Sequence, residues 1–383
     1  MHLQASELTE QLRLRVIGQD HAVDALVRAV TIGRSGLLEP DRPLAGLLFV
    51  GPTGVGKTQL VRALAEVLRS GPEDFCRIDM SALAQEHYAA SLAGAPPGYA
   101  GSKEGLTVLD RALIESDGDR PGIALFDEIE KAHPAVVRAL LHVLDNGRFT
   151  LSNGTQTIDF RNCIVVMTSN LGARAIAQHR RNRTRRRWPW RPAVPRNRAN
   201  ELASLLIHPS AEAAQGAEAG ILAAALQEFF DPEFLNRYDE IVAFGDLDST
   251  TAVEIAEREV FLVVDRLLER SVRAHVGRDV VTHLARVGHD EAFGVRALKR
   301  AMRRELLTPL VEALAGEGSR PGTPGVVHIR MNGDRVECTV VDEAGDPARN
   351  RPDRAASRAE CRPAPSQRAA APELLAGRPP GHP

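Results

Sequence analysis

Cysteine is scarce in this sequence: Cys76, Cys163, Cys338 and Cys361 are the only four, and they form no C-x-x-C pair. That spacing argues against both a disulfide framework and a cysteine zinc site and fits a reducing compartment. Long apolar runs are missing as well. Nowhere do about 18 uncharged apolar residues follow one another. The stretch from Met1 to Asp20 has scattered charges and no apolar segment of the kind a secretory leader carries. The expectation is a soluble, cytoplasmic protein with no membrane partner. Excess charge of one sign is absent too: 48 Lys+Arg against 50 Asp+Glu leave a net charge of -2. No global field for polyanions exists, so any attraction to nucleic acid must come from a local cluster. What remains, 43% hydrophobic and 26% charged residues over 383 positions, is an ordinary globular balance with room for two packed domains.

Apolar residues recur at helical spacing from Leu3 to Leu38 in two bursts, parted by Val16-Ile17-Gly18-Gln19 and ended by Gly36 and the turn from Pro40 to Pro43. Two helices therefore precede the first strand. Leu44 to Val50 is a short apolar run ending at a glycine, as expected of a strand buried on both faces of a parallel sheet. The helical pattern of Gln59 to Arg69 follows at once. Further apolar runs at Gly122 to Phe126, Cys163 to Thr168 and Glu240 to Phe244 alternate with helical patterns, which specifies an α/β domain over residues 1–245. Residues 246–341 read as a smaller helical domain, with helices at Thr251 to Val272, Arg278 to Val287 and Val295 to Leu314. A β-hairpin around Asn332-Gly333-Asp334 closes it. Residues 342–383, rich in Pro, Ala and Arg and without an aromatic, are expected to stay disordered.

Gly51-Pro52-Thr53-Gly54-Val55-Gly56-Lys57-Thr58 matches G-x-x-x-x-G-K-[ST] between an apolar strand and a helix, the setting in which that pattern cradles phosphates. The glycines let the loop curl so that backbone N–H groups face phosphate oxygens. Lys57 then reaches the β- and γ-phosphates of ATP, and Thr58 offers a hydroxyl to Mg2+. Ile123 to Phe126 delivers Asp127 and Glu128 at the carboxyl end of a strand, where ligands bind in open α/β sheets. Alone, this acid pair also reads as a helix cap. Beside a phosphate loop, Asp127 reads as a Mg2+ holder and Glu128 as the group that polarises the attacking water. A third strand ends in Met167-Thr168-Ser169-Asn170, which places the Asn170 amide where it can bond that water or the γ-phosphate.

In this order the residues resemble the Clp-type AAA+ protein unfoldases, namely the second, C-terminal ATPase module of the ClpA, ClpB and ClpC group. The likeness covers about residues 8 to 341 and includes Val16-Ile17-Gly18-Gln19, GPTGVGKT (51–58), GAPPGYAG (94–101), LFDEIEKAHP (125–134), LDNGRFT (144–150), DFRNCIVVMTSNLG (159–172), FDPEFLNRYDEIV (230–242) and FGVRALKR (293–300). It implies a P-loop AAA+ parallel-sheet domain followed by a helical lid, with Val16 and Ile17 against the adenine. It implies a homo-hexamer in which Arg237 is an arginine finger reaching the neighbouring subunit's γ-phosphate and Arg296 is a second sensor on the lid. By spacing alone, Arg296 reads sooner as part of a solvated basic helix face. The resemblance further makes Gly98-Tyr99-Ala100-Gly101 a pore loop whose tyrosine grips unfolded or aggregated polypeptide. A tyrosine packing on its own domain is the plainer alternative.

The sequence departs from that pattern in three places. Only about 15 residues precede Val16, so a single ring layer is expected to do all the pulling. No Ile-Gly-Phe or Ile-Gly-Leu lies between Asn170 and Arg237, which argues against a ClpP-type protease partner, with Leu206-Ile207-His208 as a degenerate remnant. Gln178 to Asn200 holds nine arginines, three prolines, no acid, and both Trp188 and Trp190, and it is expected to be an extended surface loop within an insert of about residues 178–215. Such a loop suits a polyanion or an acidic partner, or is a neutral insertion. Two functions follow: ATP-dependent protein unfolding or remodelling, or remodelling of a nucleic-acid complex held by the insert.

Overall fold

The structure is a computed structural model, and it describes residues 4–85, 109–115, 120–150, 157–185, 207–208, 217–288, 294–315 and 325–342. Helices α1 (Ala5–Arg13) and α2 (Asp20–Arg34) lead into β1 (Ala45–Val50), α3 (Lys57–Leu68), β2 (Cys76–Asp79), α4 (Arg111–Ile114) and β3 (Gly122–Asp127). Next come α5 (Pro134–Asn146), β4 (Arg148–Thr150), β5 (Thr157–Asp159), β6 (Cys163–Ser169) and α6 (Ala173–Arg185). The chain continues through β7 (Ile207–His208), α7 (Ala217–Phe229), α8 (Pro232–Leu235) and β8 (Glu240–Ala243). Six strands form one parallel sheet in the order β2-β3-β6-β1-β8-β7.

Helices cover both faces of this sheet, so its central strands have no wet side. Along β1, Leu47 and Phe49 pack with α1, α2 and α3, while Leu48 and Val50 pack with α5 and α7. The same alternation divides Ile123 and Leu125 from Ala124 and Phe126 in β3, and Ile164 and Val166 from Val165 and Met167 in β6. That period of two on an uninterrupted apolar run is why the three central strands are evident from sequence. The outer strands are not. Cys76–Asp79 alternates buried and exposed residues because β2 stands at the sheet edge. Ile207 and His208, two residues of the stretch expected as a docking remnant, pair with Ile241 and Val242 as the opposite edge.

A second unit follows: α9 (Ser249–Glu269), β9 (Val272–Val276), α10 (Arg278–Gly288), α11 (Val295–Met302), α12 (Thr308–Ala315), β10 (Gly325–Asn332) and β11 (Arg335–Asp342). Its core joins Ala256, Val260, Leu284, Leu298, Leu306 and Ile329. The expected hairpin is present, with Gly333 at φ +62° in its turn. The helix expected to reach Val272 instead stops at Glu269. Ser271 takes φ +61°, and Val272, Ala274 and Val276 then turn one face inward as β9, parallel to β10. The helical stretch from Val295 to Ala315 is continuous but widens into a π-turn at Arg303–Leu307. The expected extended loop from Gln178 also needs correction. Helix α6 runs on to Arg185, because arginine is a good helix former and the first proline of the stretch comes only at Pro189. Trp188, Trp190, the pore-loop residues Gly98, Tyr99, Ala100 and Gly101, and the tail from 343 to 383 lie outside the described residues. Among the described residues, no helix is long and apolar enough to cross a membrane.

Candidate nucleotide site

Where β1 ends, the backbone takes positive φ at Gly51 (+145°), Gly54 (+79°) and Gly56 (+110°), values that side chains with a Cβ rarely adopt. At Gly51 a Cβ would also stand 2.5 Å from the Phe244 carbonyl oxygen. Helix α3 begins directly after the loop, with no side-chain hydrogen bond at its N-cap Gly56 and no acid in its first turn. Its orphan N–H groups and positive dipole end are therefore available to an anion.

Lys57 is buried, and its Nζ donates to the carbonyl oxygens of Gly51 (2.6 Å) and Pro52 (2.8 Å) and to Asn170 Oδ1 (2.8 Å). All three acceptors are neutral. Burial therefore lowers its pKa from the usual 10.5 to about 8, with Arg296 adding to the drop and Glu130, Asp127 and Glu128 opposing it. A cation held this way is short of a direct anionic partner, which is what a phosphate supplies.

Beside it, β3 and β6 bring three carboxylates together. Asp127 accepts from the Thr168 hydroxyl (2.5 Å) and from Arg77 of β2 (2.6 Å). Glu128 sits at φ +61°, in the left-handed region, and accepts from Asn170 Nδ2 (3.3 Å) and from Lys131. Glu130 accepts from the Asn170 backbone N–H (3.1 Å) through one oxygen, while its other oxygen is buried with no hydrogen-bond partner. Thr58 stands half-buried in the first turn of α3.

The second unit closes over the loop. Val295 N–H donates to the Gly54 carbonyl oxygen (3.0 Å), and a Cβ on Gly294 would lie 2.6 Å from that oxygen. Arg296 is the next residue, exposed and within electrostatic reach of Lys57. On the far side, Val16 is buried with α1 and α2, Ile17 is half-buried, and Gly18 meets the Thr251 side chain of α9. The buried Gln19 amide donates to the Gly245 carbonyl (3.0 Å) and leaves its own oxygen unpartnered. Curled glycines, a buried amine, clustered acids and orphan polar atoms fit a magnesium–nucleotide complex.

The family model described as "AAA domain (Cdc48 subfamily)" matches residues 42–241, and that of the "C-terminal, D2-small domain, of ClpB protein" matches residues 247–327. An "ATP-dependent protease ATP-binding subunit-like protein" of Rhodococcus erythropolis is 45% identical over 333 residues, 87% of this chain and 90% of that protein. The chain belongs to the Clp-type AAA+ ATPases. "Chaperone protein ClpB" of Meiothermus ruber is 40% identical over 314 residues, 81% of this AAA+ chain but 32% of the relative. A solved structure described as "Closed State CryoEM Reconstruction of Hsp104:ATPyS and FITC casein" superposes with a TM-score of 0.69 at 28% identity, covering 88% of this chain and 51% of that one. The chain thus spans about a third of the ClpB relative and half of the Hsp104 chain.

Of the site residues expected in this AAA+ chain, the fold gathers the 51–58 loop, Asp127, Glu128, Asn170 and Arg296. It does not bring Arg237 to them. That guanidinium pairs with Asp145 (2.7 Å) and Glu233 (3.2 Å), and it is 40% exposed. Sequence reasoning missed Thr168, Glu130, Arg77 and Gly294, each of which acts through a neighbour brought close only by the sheet or by the lid.

The buried amine yields a stability test. Lys57 is charged in the unfolded chain up to about pH 10.5 but favours neutrality in the fold above about pH 8. Its cost to folding is therefore full below pH 8 and fades as the pH climbs to 10.5. Measured against Lys57→Met, which does not titrate, the parent is therefore expected to gain stability as the pH rises from about 8 to 10.5, by roughly 3 kcal/mol at most. Thermal melts across that range check the sign.

Proposed function

We propose that this chain is an ATP-driven protein remodeller of the chaperone or disaggregase type, working as a homo-hexamer in the cytoplasm and drawing unfolded or aggregated polypeptide through Tyr99 loops. The observation that carries this reading is the Val295–Gly54 hydrogen bond, which ties the lid to the phosphate loop and keeps Arg296 within electrostatic reach of Lys57. A change at the γ-phosphate is then felt by both domains. A matched relative prepared with ATPyS and casein, and another named as a chaperone, support the same reading.

In the proposed division of labour, Val16 and Ile17 flank the adenine, and Gly51, Pro52, Thr53, Gly54, Val55 and Gly56 wrap the phosphates. Lys57 exchanges its carbonyl partners for phosphate oxygens. Thr58 and Asp127 are the residues that would hold Mg2+, which would supply positive charge to offset that of the phosphates. Glu128 accepts a proton from the attacking water while Asn170 orients that water. Arg237 answers the charge developing in the neighbouring subunit's site, and Arg296 reports it to the lid.

Tyr99→Ala tests the threading claim. The variant is expected to hydrolyse ATP at close to the parent rate while losing ATP-dependent unfolding of a fluorescent reporter protein. Undiminished unfolding would remove threading from the proposal. A second reading comes from the name of the Rhodococcus relative, which invokes a protease. It requires ATP-dependent degradation of a tagged protein when a ClpP-type peptidase is added, where the chaperone reading requires release of intact product.

A further inference from the structure

Thr168 has no place in the motif reading, yet it is the buried group that touches both acids. It is 1% exposed on β6 and lies beyond Phe126↔Met167, the last register pair of the parallel β3–β6 ladder, so Asp127 leaves β3 alongside it. A hydroxyl carries one donor and two acceptor sites, and Thr168 uses both kinds. Its Oγ1 donates to Asp127 Oδ1 (2.5 Å) and accepts from the Glu128 backbone N–H (3.0 Å).

Glu128 has φ +61° and ψ +53°, a conformation uncommon for a residue with a side chain. That twist turns the chain out of β3 and sets the Glu128 carboxylate against the Asn170 amide. In this twisted state the Glu128 N–H donates to Thr168 Oγ1. Asp127, with Oδ1 pinned by the same hydroxyl, presents Oδ2 on the other side, where Arg77 now sits.

We propose that the Thr168 hydroxyl is a positioning group for ATP hydrolysis: through one oxygen it fixes the orientation of the carboxylate that would hold Mg2+ and the backbone twist that aims the water-polarising carboxylate. In this role Thr168 acts through Asp127 and Glu128. The inference rests on the roles given above to Asp127 and Glu128.

The test compares Thr168→Val, which keeps the branched buried shape and removes the oxygen, with Thr168→Ser, which keeps the oxygen and removes a methyl. Thr168→Val is expected to lower kcat by about 10- to 100-fold, the scale of a misplaced catalytic group. The KM for ATP should stay within about threefold, since the phosphate loop is untouched. Thr168→Ser is expected to recover most of kcat even though it leaves a small void. Melting curves give a readout independent of turnover. With ATP and EDTA the valine variant should gain as much as the parent, and on adding Mg2+ it should gain less.

If Thr168 mattered only for packing, the ranking would reverse, because serine leaves a methyl-sized void that valine fills. Parent-like kcat and an undiminished Mg2+ gain in Thr168→Val overturn the proposal, as does a serine variant as slow as the valine one. If Glu128→Gln also keeps full turnover, the fault lies in the acid assignments; if Glu128→Gln is inactive, it lies with Thr168 alone.

Discussion

Glu128→Gln is expected to bind ATP as tightly as the parent chain and to lose turnover by about a hundredfold or more, the usual contribution of a positioned general base. The substitution is nearly isosteric and keeps an oxygen facing Asn170 Nδ2, which now lies 3.3 Å from Glu128. What it removes is the negative charge that pairs with Lys131 and can accept a proton. Lys57 and the loop carbonyls that hold it are untouched, so affinity should survive. Equilibrium binding of a fluorescent ATP analogue and phosphate release at saturating ATP separate the two effects. Equal losses of binding and rate would show that Glu128 shapes the pocket and carries no step of hydrolysis. Retained ATP with stalled turnover also makes this variant the natural trap for assembled, substrate-holding complexes on a sizing column.

The difference between what the sequence revealed and what it hid follows physical range. Leu44 to Val50 announces itself because every residue of β1 is buried, so the whole signal lies in adjacent positions. The Gly51 to Thr58 motif is equally local: the loop, the amine and the helix start are contiguous in the chain. Strand β9 is hidden in the sequence because its five residues come soon after a long amphipathic helix whose pattern takes in Val272, and its alternation makes sense only once β10, about 50 residues later, lies beside it. The edge strand β2 was hidden by Arg77 and Asp79, polar residues that an edge tolerates and a central strand does not. In the site, Thr168 and Glu130 lie inside recognised motifs but face residues 40 or so positions away. Gly294 meets Gly54 only after two domains have packed. No window on the sequence contains those distances.

Arg237→Ala carries the other large effect. In the isolated chain Arg237 is held at the surface by Asp145 and Glu233, and its backbone carbonyl accepts from Arg42. Phe234 and Tyr238 on either side are buried, stacked edge to face, so the residue has a firm base and an accessible tip. A guanidinium so placed serves a site on another copy of the chain better than its own. On the proposed role, Arg237→Ala lowers turnover in the assembled state by about a thousandfold or more, the range reported by arginine fingers in general. Nucleotide affinity of the monomer should hardly change. The decisive form of the experiment mixes two inactive chains. Arg237→Ala retains Glu128 but offers no finger, whereas Glu128→Gln retains the finger but no base. If the finger works across a subunit boundary, mixed rings regain hydrolysis wherever a Glu128→Gln subunit points into an Arg237→Ala subunit, roughly a quarter of the interfaces in an equal random mixture. If Arg237 acts within its own chain, no interface in the mixture holds a complete site, and the mixture stays as inactive as its parts.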